Sequence, residues 1–130
     1  MNQPSFADVL SVQVTGEPGG YQFGVEIASP DTGCEQYADW WEVLSEDGQL
    51  LYRRILLHSH VDEQPFTRLG GPVEIDESTV VFVRAHMNTT GYGGQVLRGT
   101  VRGGFGPVEV EPGFASGLER IPPQPEDCAF

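Results

Sequence analysis

Apolar side chains recur in this chain with a period of two, and that spacing confines it to β structure. In 21-YQFGVEIA-28, Tyr21, Phe23, Val25 and Ile27 fall on one side of an extended backbone, because successive side chains of a strand point to opposite faces. The same alternation in 79-TVVFVRAHM-87 turns Val81, Val83, Ala85 and Met87 inward and Phe82, Arg84 and His86 outward. It also groups Leu10, Val12 and Val14 within 8-DVLSVQVT-15. No window carries the apolar stripe of an amphipathic helix. The stretches between are turn chemistry: 16-GEPGG-20, the Asp-Gly pair of 45-SEDG-48, and 88-NTTGYGG-94.

The remaining segments extend the pattern. In 38-ADWWEVLS-45 the adjacent tryptophans must face opposite ways. Trp41 shares its side with Val43 and is the expected core residue, while Trp40 shares its side with Glu42 and is expected to be partly exposed. In 49-QLLYRRILLH-58, Leu51, Ile55 and Leu57 form the apolar side, interrupted by Arg53, and Tyr52, Arg54, His58 and His60 the more polar one. Pro65, Gly70, Gly71 and Pro72 break the next stretch into a loop with one short edge strand about Val73 to Ile75. The run 95-QVLRGTVR-102 closes a last hairpin. Seven short strands separated by turns predict an all-β, two-sheet antiparallel sandwich over residues 1–102, with 103–130 as a Pro/Gly-rich acidic tail packed back on it.

In order and spacing, the strands between residues 8 and 102 resemble an immunoglobulin-like or fibronectin type III-like module, in which a tryptophan stands on the third strand. The chain departs from the antibody type: no cysteine lies on the second or sixth strand, and no tyrosine corner precedes Val81. The resemblance implies a non-enzymatic binding or structural module, with the third strand pairing to both the fourth and the sixth. The segment LLHSHVDEQPFTR also resembles uncharacterised bacterial proteins, which implies no activity.

Charge narrows the partners. The chain has 19 Asp and Glu against 7 Arg and no Lys, a net charge of -12. That field repels nucleic acid and anionic lipid, and the absence of Lys excludes Schiff-base chemistry. No apolar run approaches the roughly 20 residues of a membrane helix, so no membrane insertion is expected. The partner is therefore expected to be a protein or a small ligand. The segment MNQPSFADVL lacks the features of a leader peptide, leaving a cytoplasmic protein or a mature form as the two expectations. Cys34 and Cys128, without CxxC spacing, are expected to form one disulfide that anchors the tail, which favours an extracytoplasmic setting.

One site draws attention. His58 and His60 stand at i and i+2, so they project from one face at a spacing that suits chelation of Zn or Cu. If the third strand pairs as the resemblance implies, His86 reaches the same end of the molecule, and Glu63 supplies a carboxylate. The other reading is that the imidazoles bond to loop groups around residues 61–68 and bind no cofactor. HSHVD also matches the start of the metallo-β-lactamase-like pattern, but Glu63 replaces the next histidine and the chain is far too short for that fold. A cupin-like metal enzyme is a partial match: Glu63 follows His60 after two residues instead of three or four, and Tyr52 stands in place of a glycine. No catalytic residue is assigned, because Ser59 faces away from both histidines.

Overall fold

The computed structural model describes residues 6–130, and it bears out the sandwich. Eight antiparallel strands run in order: β1 (Asp8–Thr15), β2 (Tyr21–Ala28), β3 (Ala38–Ser45), β4 (Leu50–Ile55), β5 (Phe66–Val73), β6 (Val81–Met87), β7 (Val96–Thr100) and β8 (Gly104–Val108). One sheet has the order β1-β2-β5, the other β4-β3-β6-β7-β8. The helical content is a 3-10 turn, Ser116–Arg120. The additional strand is β8, which pairs with β7 from Val96↔Val108 to Thr100↔Gly104.

The main core lies between the sheets. Tyr21, Phe23, Val25 and Ile27 face Trp41, Val43, Val81, Val83, Ala85 and Met87, as the alternation requires. Three local readings are corrected. In β1 the partners step from Val9↔Ile27 to Ser11↔Glu26, so Leu10 is the extra residue of a β-bulge. Val9 is then fully buried, Leu10 is 40% exposed, and Val12 and Val14 regain the inner face. In β4 the two faces are exchanged: Tyr52 opposes Val43 and packs on the core, whereas Arg53 opposes Glu42 on the outside. Pairing partners share a face, so the register of β3 overrides the apolar count of β4 itself. Residues 66–73, read as loop, form an eight-residue edge strand paired to β2; the glycines interrupt its register between Gly70 and Val73 without ending it.

The outer face of the five-stranded sheet is covered too. Seven of the eight residues of β3 are buried, because residues 109–128 run across that face as a strap. Val110, Phe114, Ala115 and Leu118 pack on Leu44, Phe82 and Val96 to make a second, smaller core. Beneath the strap, Glu42 is wholly buried between two arginines: Arg53 Nε and Nη2 lie 2.8 and 2.7 Å from Oε1, and Arg84 Nε lies 2.7 Å from Oε2. The guanidiniums also donate to strap carbonyls, Arg53 to Leu118, Ile121 and Pro123, and Arg84 to Phe114 and Ala115. The buried charges thereby meet acceptors on all sides, which is the condition for placing them there.

Candidate functional site

The end of the sandwich where β3 begins and β6 finishes gathers the loops 29–37 and 56–65. Asp31 organises it. One carboxylate oxygen accepts from Ser29 Oγ (2.7 Å) and the Ala38 amide (3.0 Å), and the other accepts from the His60 amide (2.8 Å). This buried acid ties the start of β3 to the segment leaving β4. The His60 ring is 4% exposed and stacks on Phe66 at 3.7 Å between centroids, 7° from parallel. Neither of its ring nitrogens has a hydrogen-bond partner; Nδ1 comes no closer than 3.9 Å to Asp31 Oδ2. Burial, reinforced by Arg68 and by His58, pushes its pKa down to about 4, so the ring is neutral near pH 7.

His58 is half-buried beside it, with ring centroids 4.4 Å apart and planes tilted by 38°. Its Nδ1 donates to the Ser59 carbonyl at 2.7 Å, and its other face lies on Phe130 at 4.5 Å. The segment 57–59 is held by strand-like bonds: the Ala129 amide donates to Leu57 O, and the Ser59 amide and hydroxyl both donate to Phe130 O. A cavity of about 380 Å³ opens over His58, Ser59 and His60, with Asp62, Glu63 and Phe130 at its rim. Glu63 is exposed and pairs loosely with Arg68 at 3.1 Å. Val61 and Phe130, which line this opening, leave 50% and 72% of their surfaces in water, and Leu57, just before His58, leaves 61%.

His86 reaches the same end of the strands but has other work. Its ring stacks on Trp40 at 3.7 Å on the strap side of the sheet, with Nδ1 2.6 Å from Asp39 Oδ1 and Nε2 2.6 Å from Glu119 Oε2. The expected set of His58, His60, His86 and Glu63 is therefore not assembled. Among the described residues, no three His, Cys, Asp or Glu side chains gather so as to hold a metal ion. The cupin-like arrangement depended on the same His86 and shares that outcome.

Trp40 was expected to be partly exposed and is 1% exposed instead. Besides His86, it carries the Arg53 guanidinium 4.2 Å from its ring centroid and Tyr92 edge-on at 6.3 Å. Arg84 stacks on Tyr92 at 3.4 Å, and burial, with Glu42 adding to it, raises the Tyr92 phenol above its ordinary range. A broader concavity of about 1040 Å³ lies between residues 90–96 and 107–119, but the Arg84 and Glu119 side chains on its walls are already engaged. Asp31, Asp39, Glu42, Arg53, Arg84 and Glu119 are the residues that reading the sequence missed. The available signal was Phe82 and Leu44, two large apolar side chains on an outward face that only a covering segment explains.

The disulfide is as expected: Cys34 and Cys128 are bonded, with Cα atoms 5.7 Å apart. It fixes the end of the strap to the loop that carries Asp31. Among the described residues no helix is long and apolar enough to cross a membrane.

No protein-family model matches the chain, and no solved structure matches it. Over 93 residues, 70% of its length, it is 42% identical to a protein of Halomicrobium mukohataei named "Putative lipoprotein". The match covers 45% of that relative, so the chain corresponds to less than half of it.

Proposed function

We propose that this chain is a non-catalytic, immunoglobulin-like β-sandwich module of an extracytoplasmic protein, and that the loops around His58 and His60 are its contact surface. The strand order supports the immunoglobulin-like part: β3 lies between β4 and β6, and β1-β2-β5 face them, the arrangement expected of a fibronectin type III-like module. The disulfide and the name of the 42% identical relative support the location, since such bonds persist in oxidising compartments.

The contact surface rests on one observation. Val61 and Phe130 stand exposed together at the rim of one opening, on backbone that Asp31 and the disulfide hold fixed. Apolar side chains presented on ordered loops mark a surface that another molecule covers, and sandwiches carry function on such loops. The acidic residues Asp62 and Glu63 at its edge favour a partner with basic groups around an apolar centre.

A photo-reactive amino acid placed at Val61, in cells that make the protein, should give a discrete cross-linked product. The same probe at Glu17, in the turn at the opposite end of the sandwich, should give none. Products from both positions, or from Glu17 alone, would remove the reading.

A further inference from the structure

We propose that Asn88 carries an N-linked sugar, added where the protein stands outside the cytoplasm. The inference rests on the extracytoplasmic reading above and is independent of the contact surface.

The residues that carry it are 88-NTT-90. An asparagine followed by any residue but proline, and then by Ser or Thr, is the acceptor triplet for N-glycosylation, in which the hydroxyl two residues on is read together with the amide. The chain has two asparagines, and Asn2 is followed by Gln3 and Pro4, so Asn88 alone begins such a triplet. Triplets of this kind also arise by chance, and the place in the fold decides whether a sugar can be carried.

Here the triplet forms a tight turn where β6 ends. The Met87 amide donates to Gly91 O at 3.1 Å and the Gly91 amide to Met87 O at 2.9 Å, which leaves Asn88, Thr89 and Thr90 as a three-residue loop between them. Gly91 closes the loop at a φ of 74°, a conformation that glycine adopts without strain. All three triplet residues are exposed, whereas every residue of β6 before them is buried. A bulky polar group attached at such a tip enters no core.

The Asn88 side chain is held but not enclosed. Its Oδ1 accepts from the Tyr37 amide at 3.0 Å, and its Nδ2 donates to Cys34 O at 3.1 Å, with Glu35 O at 3.4 Å. Transfer forms a bond from Nδ2 to the anomeric carbon of a sugar carried on a lipid phosphate. The bond from that carbon to the phosphate oxygen breaks, its electron pair leaves with the phosphate, and one amide hydrogen leaves as a proton; nothing is oxidised or reduced. Oδ1 keeps its lone pairs and Nδ2 keeps one hydrogen, enough for the bonds to Tyr37 and Cys34, so the long contact with Glu35 is the one given up. The sugar then stands beside Cys34, the exposed end of the disulfide.

The test is mass spectrometry of the protein recovered from the cells that make it and cleaved at arginine, with the state of the cysteines and the reach of external protease in intact cells read on the same culture. The peptide 85–98 holds Asn88 and no other asparagine, and it should be heavier by a whole number of sugar residues. Asn88→Gln and Thr90→Ala should each abolish the addition, while Thr90→Ser and Thr89→Ala should keep it. Should Asn88→Gln fail to fold, the two Thr90 variants decide. An unmodified peptide from protein that is protease-accessible and disulfide-bonded would overturn the sugar and leave the location standing. Unmodified protein that is reduced and protected from protease would overturn the location and the sugar with it. A sugar that persists in Thr90→Ala, or that maps to Thr89, would overturn Asn88 as the acceptor.

Discussion

Replacing Glu42 by Gln tests the buried ion triad with almost no change of shape. Glu42 is 0% exposed, and its two oxygens accept from two guanidiniums whose side chains are 0% and 4% exposed. The amide removes the negative charge between them and turns an NH₂ group toward a donor. Breaking a buried pair from one side typically costs about 3–5 kcal/mol. Both arginines keep their strap carbonyls, so the lower figure applies, about 3 kcal/mol, a large share of the roughly 5–15 kcal/mol that holds a domain folded. For a chain of this size the melting temperature should fall by roughly 10 °C. Urea unfolding followed by tryptophan emission, with the disulfide intact, measures the loss, and Trp40 stacked under Arg53 is placed to report it. A companion variant, Glu42→Leu with Arg53→Met and Arg84→Met, separates the two roles of the triad. Apolar replacement of a buried triad is often neutral or stabilising for the packed layer, but here it also removes every guanidinium donor to the strap. Amide exchange should then rise over residues 114–123 and stay slow in β3 and β6. A Glu42→Gln variant that loses less than about 1 kcal/mol would show that the two cations are satisfied without the carboxylate, and the reasoning would fail.

Three further outcomes are expected from the same structure. His60 is held at about 4 against an ordinary 6.5; the unfolded chain therefore takes up a proton between those values while the folded one does not, and stability should fall by up to about 3 kcal/mol as pH drops from 6.5 to 4. That slope should vanish in His60→Phe, and an unchanged slope would assign acid sensitivity elsewhere. Cys34→Ser with Cys128→Ser opens a loop of 94 residues and should cost about 4–5 kcal/mol, read from the urea midpoint; a change below about 1 kcal/mol would mean the arginines alone hold the strap. Trp40→Ala should cost about 3–5 kcal/mol, as much as Trp41→Ala, because both are fully buried; a loss below about 1 kcal/mol would refute the strap as its cover.

What the sequence discloses is governed by which neighbours a residue needs to know about. The inner face of β2 and of β6 is legible from Tyr21, Phe23, Val25 and Ile27 and from Val81 to Met87, since one sheet packing on another imposes a period of two. The bulge at Leu10 is not legible: one inserted residue shifts the phase, and 8-DVLSVQVT-15 reads equally well with Leu10 in or out. The face of β4 depends on Glu42 and Val43 across the ladder, a partner that local apolar counting ignores. The candidate site divides in the same way. The proximity of His58 and His60 and the Cys34–Cys128 bond follow from spacing and from cysteine number. The capture of His86 by Glu119, 33 residues away, follows only from the path of the strap.

That path also orders events in time. β1 to β8 precede the strap in the chain, and the sheet they build is the surface on which the strap's carbonyl acceptors must dock. Until the strap docks, the five-stranded sheet shows solvent a bare Trp40 and two arginines gripping Glu42 with no backbone to receive their remaining hydrogens. The nascent sandwich is thus a two-layer structure with one unfinished side, and the oxidation of Cys128 onto Cys34 is the event that makes its third layer permanent.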